Sequence, residues 1–236
     1  MARTMKIDNA LLKRFAKQSN KKKSKELVAY FLIVCEGEKT EPNYFKSFPK
    51  QSGKIIFDIE FDGGGISTLK VVEKAIELRD KSKRKYDRVW AVFDRDGFKS
   101  TSFNSAIKKA EANNISCAWS NEAFELWYLL HFHNRITAMK RDEYKKAIEE
   151  AVNGKLGKKK KAFEYKKNDT QIYSLLKKLG NQDSAIKWAN ELANGINGEK
   201  FANYNPQTMV FKLVTELNGQ SEELNAEIIY KFEKGQ

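Results

Sequence analysis

Three carboxylates follow apolar runs in a way that could hold a metal ion. In FLIVCEGEKTEPNYF, residues 31–45, an apolar stretch leads straight into Glu36. In RVWAVFDRD, residues 88–96, a second apolar stretch leads into Asp94, with Asp96 two positions on. Like charges gathered in one place repel, and a buried carboxylate is costly unless it is paired. A divalent cation removes both penalties, and oxygen-only ligation suits Mg²⁺ or Mn²⁺ and argues against Zn²⁺. Each acid alone has a plainer reading: a helix N-terminal charge for Glu36, turn residues for the Asp pair. The joint pattern is more specific than either half.

The acids can meet only if the elements before them are neighbours, because open parallel sheets bind ligands outside the carboxyl ends of their strands. Residues 26–35 read as a central strand, a continuous apolar run bounded by charge. Gly37 permits a tight turn, and Thr40 reads as the N-cap of a helix that starts near Glu41 and carries Tyr44, Phe45 and Phe48 inward. Residues 55–61, 88–94 and 115–119 read as further strands, and 66–83 and 103–113 as helices. Ser120 or Asn121 reads as the cap of the apolar helix EAFELWYLLHF, which places Glu122 in its first turn. The alternation predicts an α/β fold, a mostly parallel sheet flanked by helices. After about residue 138 strand signals stop, and 141–152, 169–180, 183–194, 206–218 and 221–234 read as helices. The expected organisation is a basic arm over 1–25, an α/β core over 26–138 and a helical region over 139–236.

The chain has 236 residues, 41% of them hydrophobic and 12% aromatic, which is enough to bury a core and excludes a disordered chain. It has no apolar run of about 18 residues, so no membrane span is expected. The basic start lacks the apolar stretch of a signal peptide, and Cys35 and Cys117 sit in apolar runs. The expectation is a cytoplasmic protein with buried thiols. Net charge is +13, and its distribution is uneven: +8 in residues 1–25 and +6 in 153–168, leaving −1 for the rest. Lysine runs of this kind are either solvated tails or contacts to a phosphate backbone, and two of them beside an acidic cluster point to a polyanionic partner. Gly63 to Gly65 lacks the spacing of a phosphate-binding loop. His131 and His133 are two apart and do not share a helix face; one of them can close the helix C-terminus as a cation.

VCEGEKTEPNYF, VFDRDGF, SNEAFELWYLLHF and the later NPQTMVFKLV resemble the RloB-like proteins, also called the abortive-infection AbiLii type, over about residues 28–218. That family is similar in turn to the TOPRIM domain, the metal-dependent core of primases, topoisomerases and OLD-type nucleases. The resemblance implies a TOPRIM-like core with a Glu after the first strand and a DxD after a later one, here Glu36, Asp94 and Asp96. Glu41 is the match to the second acid of OLD-type nucleases, one residue farther along than their spacing. The FELW segment is implied to matter, which makes Glu125 either a secondary metal-site residue or a solvent-facing helix acid. A lysine at the scissile phosphate is implied too, with Lys166 or Lys167 as the candidates and Lys158, Lys159, Lys160 and Lys161 gripping the backbone.

The activity implied is Mg²⁺- or Mn²⁺-dependent cleavage of DNA or RNA in bacterial anti-phage defence, beside an ATPase partner encoded nearby. The chain has no GxxxxGK[ST] motif of its own. Two other functions compete. A non-catalytic nucleic-acid-binding subunit explains the basic segments but not the acids, which repel phosphate. A strand-transfer enzyme needs a nucleophilic Tyr, and Tyr86, Tyr128 and Tyr165 lie in no recognisable setting for one.

Overall fold

In the computed structural model, which describes residues 27–97, 99–157 and 161–234, the first strand is buried from both sides. This strand, β1 (Leu27–Cys35), alternates its side chains between two cores. Phe31, Ile33 and Cys35 enter one and Leu32 and Val34 the other. That is why the sequence there is apolar without a break. The basic arm and Lys158, Lys159 and Lys160 lie outside the described residues.

Among the described residues six strands form one sheet. β1, β3 (Ile55–Gly63), β4 (Arg88–Asp94) and β5 (Ser116–Asn121) are parallel. β2 (Gln51–Ser52) and β6 (Gln207–Thr208) are short antiparallel edges, and the order is β2-β3-β1-β4-β5-β6. The chain leaves β1 toward β3, then crosses back to β4 on the other side of β1. The sheet therefore reverses direction between β1 and β4, where a crevice opens at the strand ends.

The helices cover both faces. α1 (Thr40–Lys46) packs on the first core through Tyr44 and Phe45. α2 (Thr68–Lys81) and α3 (Ser100–Ala112) pack on the second through Val71, Val72, Phe103 and Ile107. α4 (Glu125–Leu130), α5 (Glu143–Leu156), α6 (Ile172–Leu179), α7 (Gln182–Ala193), α8 (Val210–Leu217) and α9 (Glu222–Lys234) all contribute to the first core. The helices after residue 138 thus share one continuous apolar interior with the β1 face.

Tyr44 is the hub of that interior. Its ring lies 5.3–5.8 Å from the rings of Phe45, Phe124, Tyr128 and Tyr173, mostly edge to face. Each such pair adds about 0.5–1.5 kcal/mol beyond area burial. The cluster ties α1 to α4, the two helices that carry Glu41 and Glu125.

Three local expectations change. Thr40 is the first residue of α1 and makes no capping bond; its hydroxyl lies 3.4 Å from the Lys167 carbonyl oxygen. Ser120 and Asn121 end β5 and are not helix caps. The Ser120 hydroxyl bonds Thr208 across the β5–β6 pair, and the Asn121 amide donates to the carbonyls of Ala202 and Tyr204. Glu122 consequently precedes α4 and does not sit in its first turn. β6 is a strand after residue 138 that a two-residue stretch could not announce by periodicity.

Candidate active site

Glu36 and Asp94 meet. Glu36 follows β1 directly, and its backbone N–H donates to Val92 at 2.9 Å, which extends the β1–β4 ladder past the strand end. The Glu36 carboxylate Oε2 then accepts the Asp94 backbone N–H at 2.9 Å. Both acids stand at the crevice where the sheet reverses.

Two further carboxylates close in from the helices of the first core. Glu41 on α1 is 5% exposed, Asp94 at the end of β4 is 6% exposed and Glu125 on α4 is 4% exposed. Three acids this deeply buried require a compensating charge or a proton. Burial pushes the Asp94 carboxyl well above the usual range, and the charges of Glu41 and Glu125 push it further. Glu41 is raised by burial, with Glu125 adding and backbone N–H groups opposing. Glu36 is pushed up to about 7 by burial, against the Asp94 N–H that favours its charged form.

Asp96 takes a different position. It is exposed, has a φ of 43°, and its Oδ2 lies 2.5 Å from Arg141 Nη1. Its backbone N–H donates to the Glu122 carbonyl at 3.2 Å, while the Glu122 carboxylate accepts the Arg141 backbone N–H at 3.0 Å. The buried centre is therefore Glu41, Asp94 and Glu125, with Glu36 beside it and Asp96 on the outer side, held by Arg141.

Glu125 is anchored from the lysine-rich segment. Tyr165, itself buried, donates its hydroxyl to Glu125 Oε1 at 2.9 Å. The chain before Tyr165 is fastened to α5: Asn153 exchanges two hydrogen bonds with the backbone of Phe163, and the Tyr165 N–H donates to Glu149 at 2.9 Å. Lys161, Lys166 and Lys167 are exposed. Lys167, with Lys140, Arg141 and Lys145, lines an open cleft next to Asp96, and Lys166 is not part of its lining.

The donor set suits a hard divalent cation. It is all oxygen, and Asp94 Oδ1 is buried with no hydrogen-bond partner among the described residues. The carboxylates are neighbours without forming a closed cage: among the described residues no three acidic, His or Cys side chains converge to ligation distance.

His131 ends α4 as expected but not as a cation. Burial lowers its pKa to about 4, and its Nδ1 lies 2.9 Å from the Trp127 carbonyl oxygen. Cys35 is a buried free thiol and Cys117 is half-buried and free. Among the described residues no helix is long and apolar enough to cross a membrane.

Sequence reasoning missed Arg141 and underrated Glu41 and Tyr165. Glu41 carried a usable signal: Tyr44, Phe45 and Phe48 follow at helical spacing, which puts Glu41 on the apolar face. Nothing in the sequence separates Arg141 from the other basic residues.

Comparison with curated proteins and with solved structures gives no match. A protein-family model described as RloB-like protein matches residues 31–217, a span that holds every acid of this site, and the chain belongs to the RloB-like family.

Proposed function

We propose that this protein is a Mg²⁺- or Mn²⁺-dependent nuclease of the AbiLii type, with a TOPRIM-like core, that cuts DNA or RNA in anti-phage defence. The observation that carries this reading is the Asp94 N–H bond to the Glu36 carboxylate at the crevice between β1 and β4, with Glu41 and Glu125 buried near enough for their charges to act on Asp94. A strand-end Glu and a DxD on adjacent parallel strands support the TOPRIM-like assignment. The nearby ATPase and the defence setting are what the family resemblance implies, and a cytoplasmic location is what the unbridged cysteines favour.

Asp94, Glu41 and Glu125 would hold the cation, with Glu36 and Asp96 within reach of its field. When bound, a divalent ion polarises a phosphoryl oxygen and lowers the pKa of water. Glu36, with a pKa raised to about 7, suits the exchange of a proton near neutral pH. Its Oε2 is held by the Asp94 N–H, so Oε1 is the oxygen that takes the proton of an attacking water. Tyr165 keeps Glu125 oriented through the bond to its Oε1. Arg141 and Lys167, at the exposed side, offset phosphate charge, and Lys167 fills the lysine role better than Lys166 because it lines the cleft.

The test is incubation of wild type, Asp94→Ala and Glu36→Ala with single- and double-stranded DNA, total RNA and tRNA, with and without Mn²⁺. Wild type is expected to cleave at least one substrate with Mn²⁺. Each variant is expected to lose several kcal/mol of transition-state stabilisation, about a hundredfold or more in rate. Undiminished cleavage by both variants would remove these residues from the reaction. A second reading, a non-catalytic nucleic-acid-binding subunit, draws on the cationic cleft and the open arrangement of the acids. It predicts nucleic-acid binding with no divalent-ion binding.

A further inference from the structure

The cleft beside Asp96 holds more positive charge than its own acids balance. Lys140, Arg141, Lys145 and Lys167 line it against Glu122 and Asp142. Arg141 is committed to Asp96, and Lys145 lies 3.7 and 3.6 Å from carboxylate oxygens of Glu149 and Glu164. Among the described residues Lys140 and Lys167 make no ion pair. They come from separate segments: Lys140 from the approach to α5, and Lys167 from the turn after the lysine-rich stretch. A fold that brings unpaired like charges from distant segments into one cleft raises their mutual repulsion unless an anion occupies it.

The cleft is joined to the acid rim by two shared residues. Arg141 pairs with the Asp96 side chain, and the Glu122 carbonyl takes the Asp96 backbone N–H. Lys167 is placed by its carbonyl oxygen, which lies 3.4 Å from the Thr40 hydroxyl on the helix that carries Glu41. A repulsive acidic centre and an attractive basic cleft therefore lie side by side on one framework. That polarity suits a polymer of phosphates better than a free phosphate ion. One phosphate is gripped, and the next is brought to acids that would otherwise reject it.

We infer that this cleft binds a backbone phosphate of a nucleic-acid strand, and that Lys140 and Lys167 set the register of the strand against Glu36 and Asp94. The location of the cut rests on the nuclease reading; phosphate binding in the cleft does not.

The experiment is fluorescence anisotropy of a fluorescein-labelled oligodeoxynucleotide and its RNA counterpart with the full chain, in EDTA, across a series of salt concentrations. Lys140→Glu and Lys167→Glu are measured singly and together. Lys109→Glu, on α3 over the opposite face of the sheet, makes the same charge change elsewhere. Each cleft variant is expected to lower the slope of log affinity against log salt by about one, and the pair by about two. Lys109→Glu is expected to leave the slope in place. Loss on one oligonucleotide only identifies the strand type that the cleft accepts. Unchanged slopes, an equal fall in Lys109→Glu, or no binding by wild type overturns the inference. Cleavage of either strand by wild type with Mn²⁺ is scored separately. Cleavage with unchanged slopes sinks the cleft alone, and slope losses without cleavage sink the nuclease reading alone.

Discussion

The backbone N–H of Asp94 donates to the Glu36 carboxylate at 2.9 Å, across two adjacent parallel strands. This bond fixes one oxygen of Glu36 and leaves burial to set the proton affinity of the group. The folded-state pKa of about 7 lies above the ordinary value of 4.5, so the folded protein binds this proton more tightly than the unfolded chain. The resulting stability is present below pH 4.5 and is lost as pH rises through 7. The effect is at most about 3 kcal/mol and is reduced by solvent screening. His131, with a pKa lowered from 6.5 to about 4, acts oppositely: its contribution is present above 6.5 and is lost as pH falls through 4. The two windows overlap, so a difference is the useful quantity. Glu36→Gln keeps an acceptor for the Asp94 N–H. Urea denaturation in EDTA at pH 5 and pH 8 should show that wild type loses more stability than this variant on going to pH 8. Equal losses would mean that Glu36 titrates normally.

Asp94 feels the charges of Glu41 and Glu125 and carries a buried oxygen with no hydrogen-bond partner among the described residues. Without a cation this arrangement is a stability liability of the kind active sites retain. Asp94→Asn removes one of the clustered charges. In EDTA at pH 8 the variant should be more stable than wild type by on the order of 1 kcal/mol, read from thermal or urea midpoints. A clear loss of stability would mean that the Asp94 charge is already compensated in the free protein.

Two glycines near the C-terminal end of β1 should behave differently. Gly63 has a φ of 144°, and an added Cβ would overlap the Cys35 carbonyl oxygen, a backbone atom that cannot yield. Gly63→Ala should lower stability by about 2 kcal/mol or more. At Gly37 the added Cβ would meet the tip of the Glu41 carboxylate, which can rotate away. Gly37→Ala should cost less than about 1 kcal/mol in folding but weaken divalent-ion binding through the displaced Glu41. Denaturation midpoints paired with Mn²⁺ titrations separate the two effects.

At the opposite end of the sheet, Arg88 and Trp90 at the start of β4 both donate to Glu216 on α8, at 2.9 and 2.8 Å, and Arg88 also donates to Glu227 on α9. Arg88 and Glu216 are 16% and 13% exposed at their side chains, whereas Glu227 is 42% exposed. Glu216→Ala removes the more buried of the two carboxylates on Arg88 and leaves the Trp90 indole N–H without its acceptor, and should cost about 2 kcal/mol. Glu227→Ala should cost less than about 1 kcal/mol. Neither should change Mn²⁺ affinity, because both lie away from the crevice. A comparable cost for the two variants in urea would contradict this ranking.

The parts of the fold that follow strict rules were legible in the sequence. β1 and β4 are apolar throughout because they are covered on both faces, and the acids after them fall at the crevice because β1 and β4 are neighbours. What escaped was set by tertiary contacts. Every residue of α4 is buried, so periodicity could not say whether Glu125 faced solvent. β6 spans two residues, too few for alternation to register. Arg141 gains its meaning only from Asp96, 45 positions earlier in the chain. Lys166 and Lys167 are adjacent and identical, and only the fold puts one of them in the cleft.

Calorimetric titration of Mn²⁺ into wild type and Asp94→Asn, both stripped with EDTA and dialysed, reaches the core of this account. Saturable binding by wild type that is lost or severely weakened in Asp94→Asn is the predicted result. No binding by wild type, or the same isotherm for both proteins, would contradict it.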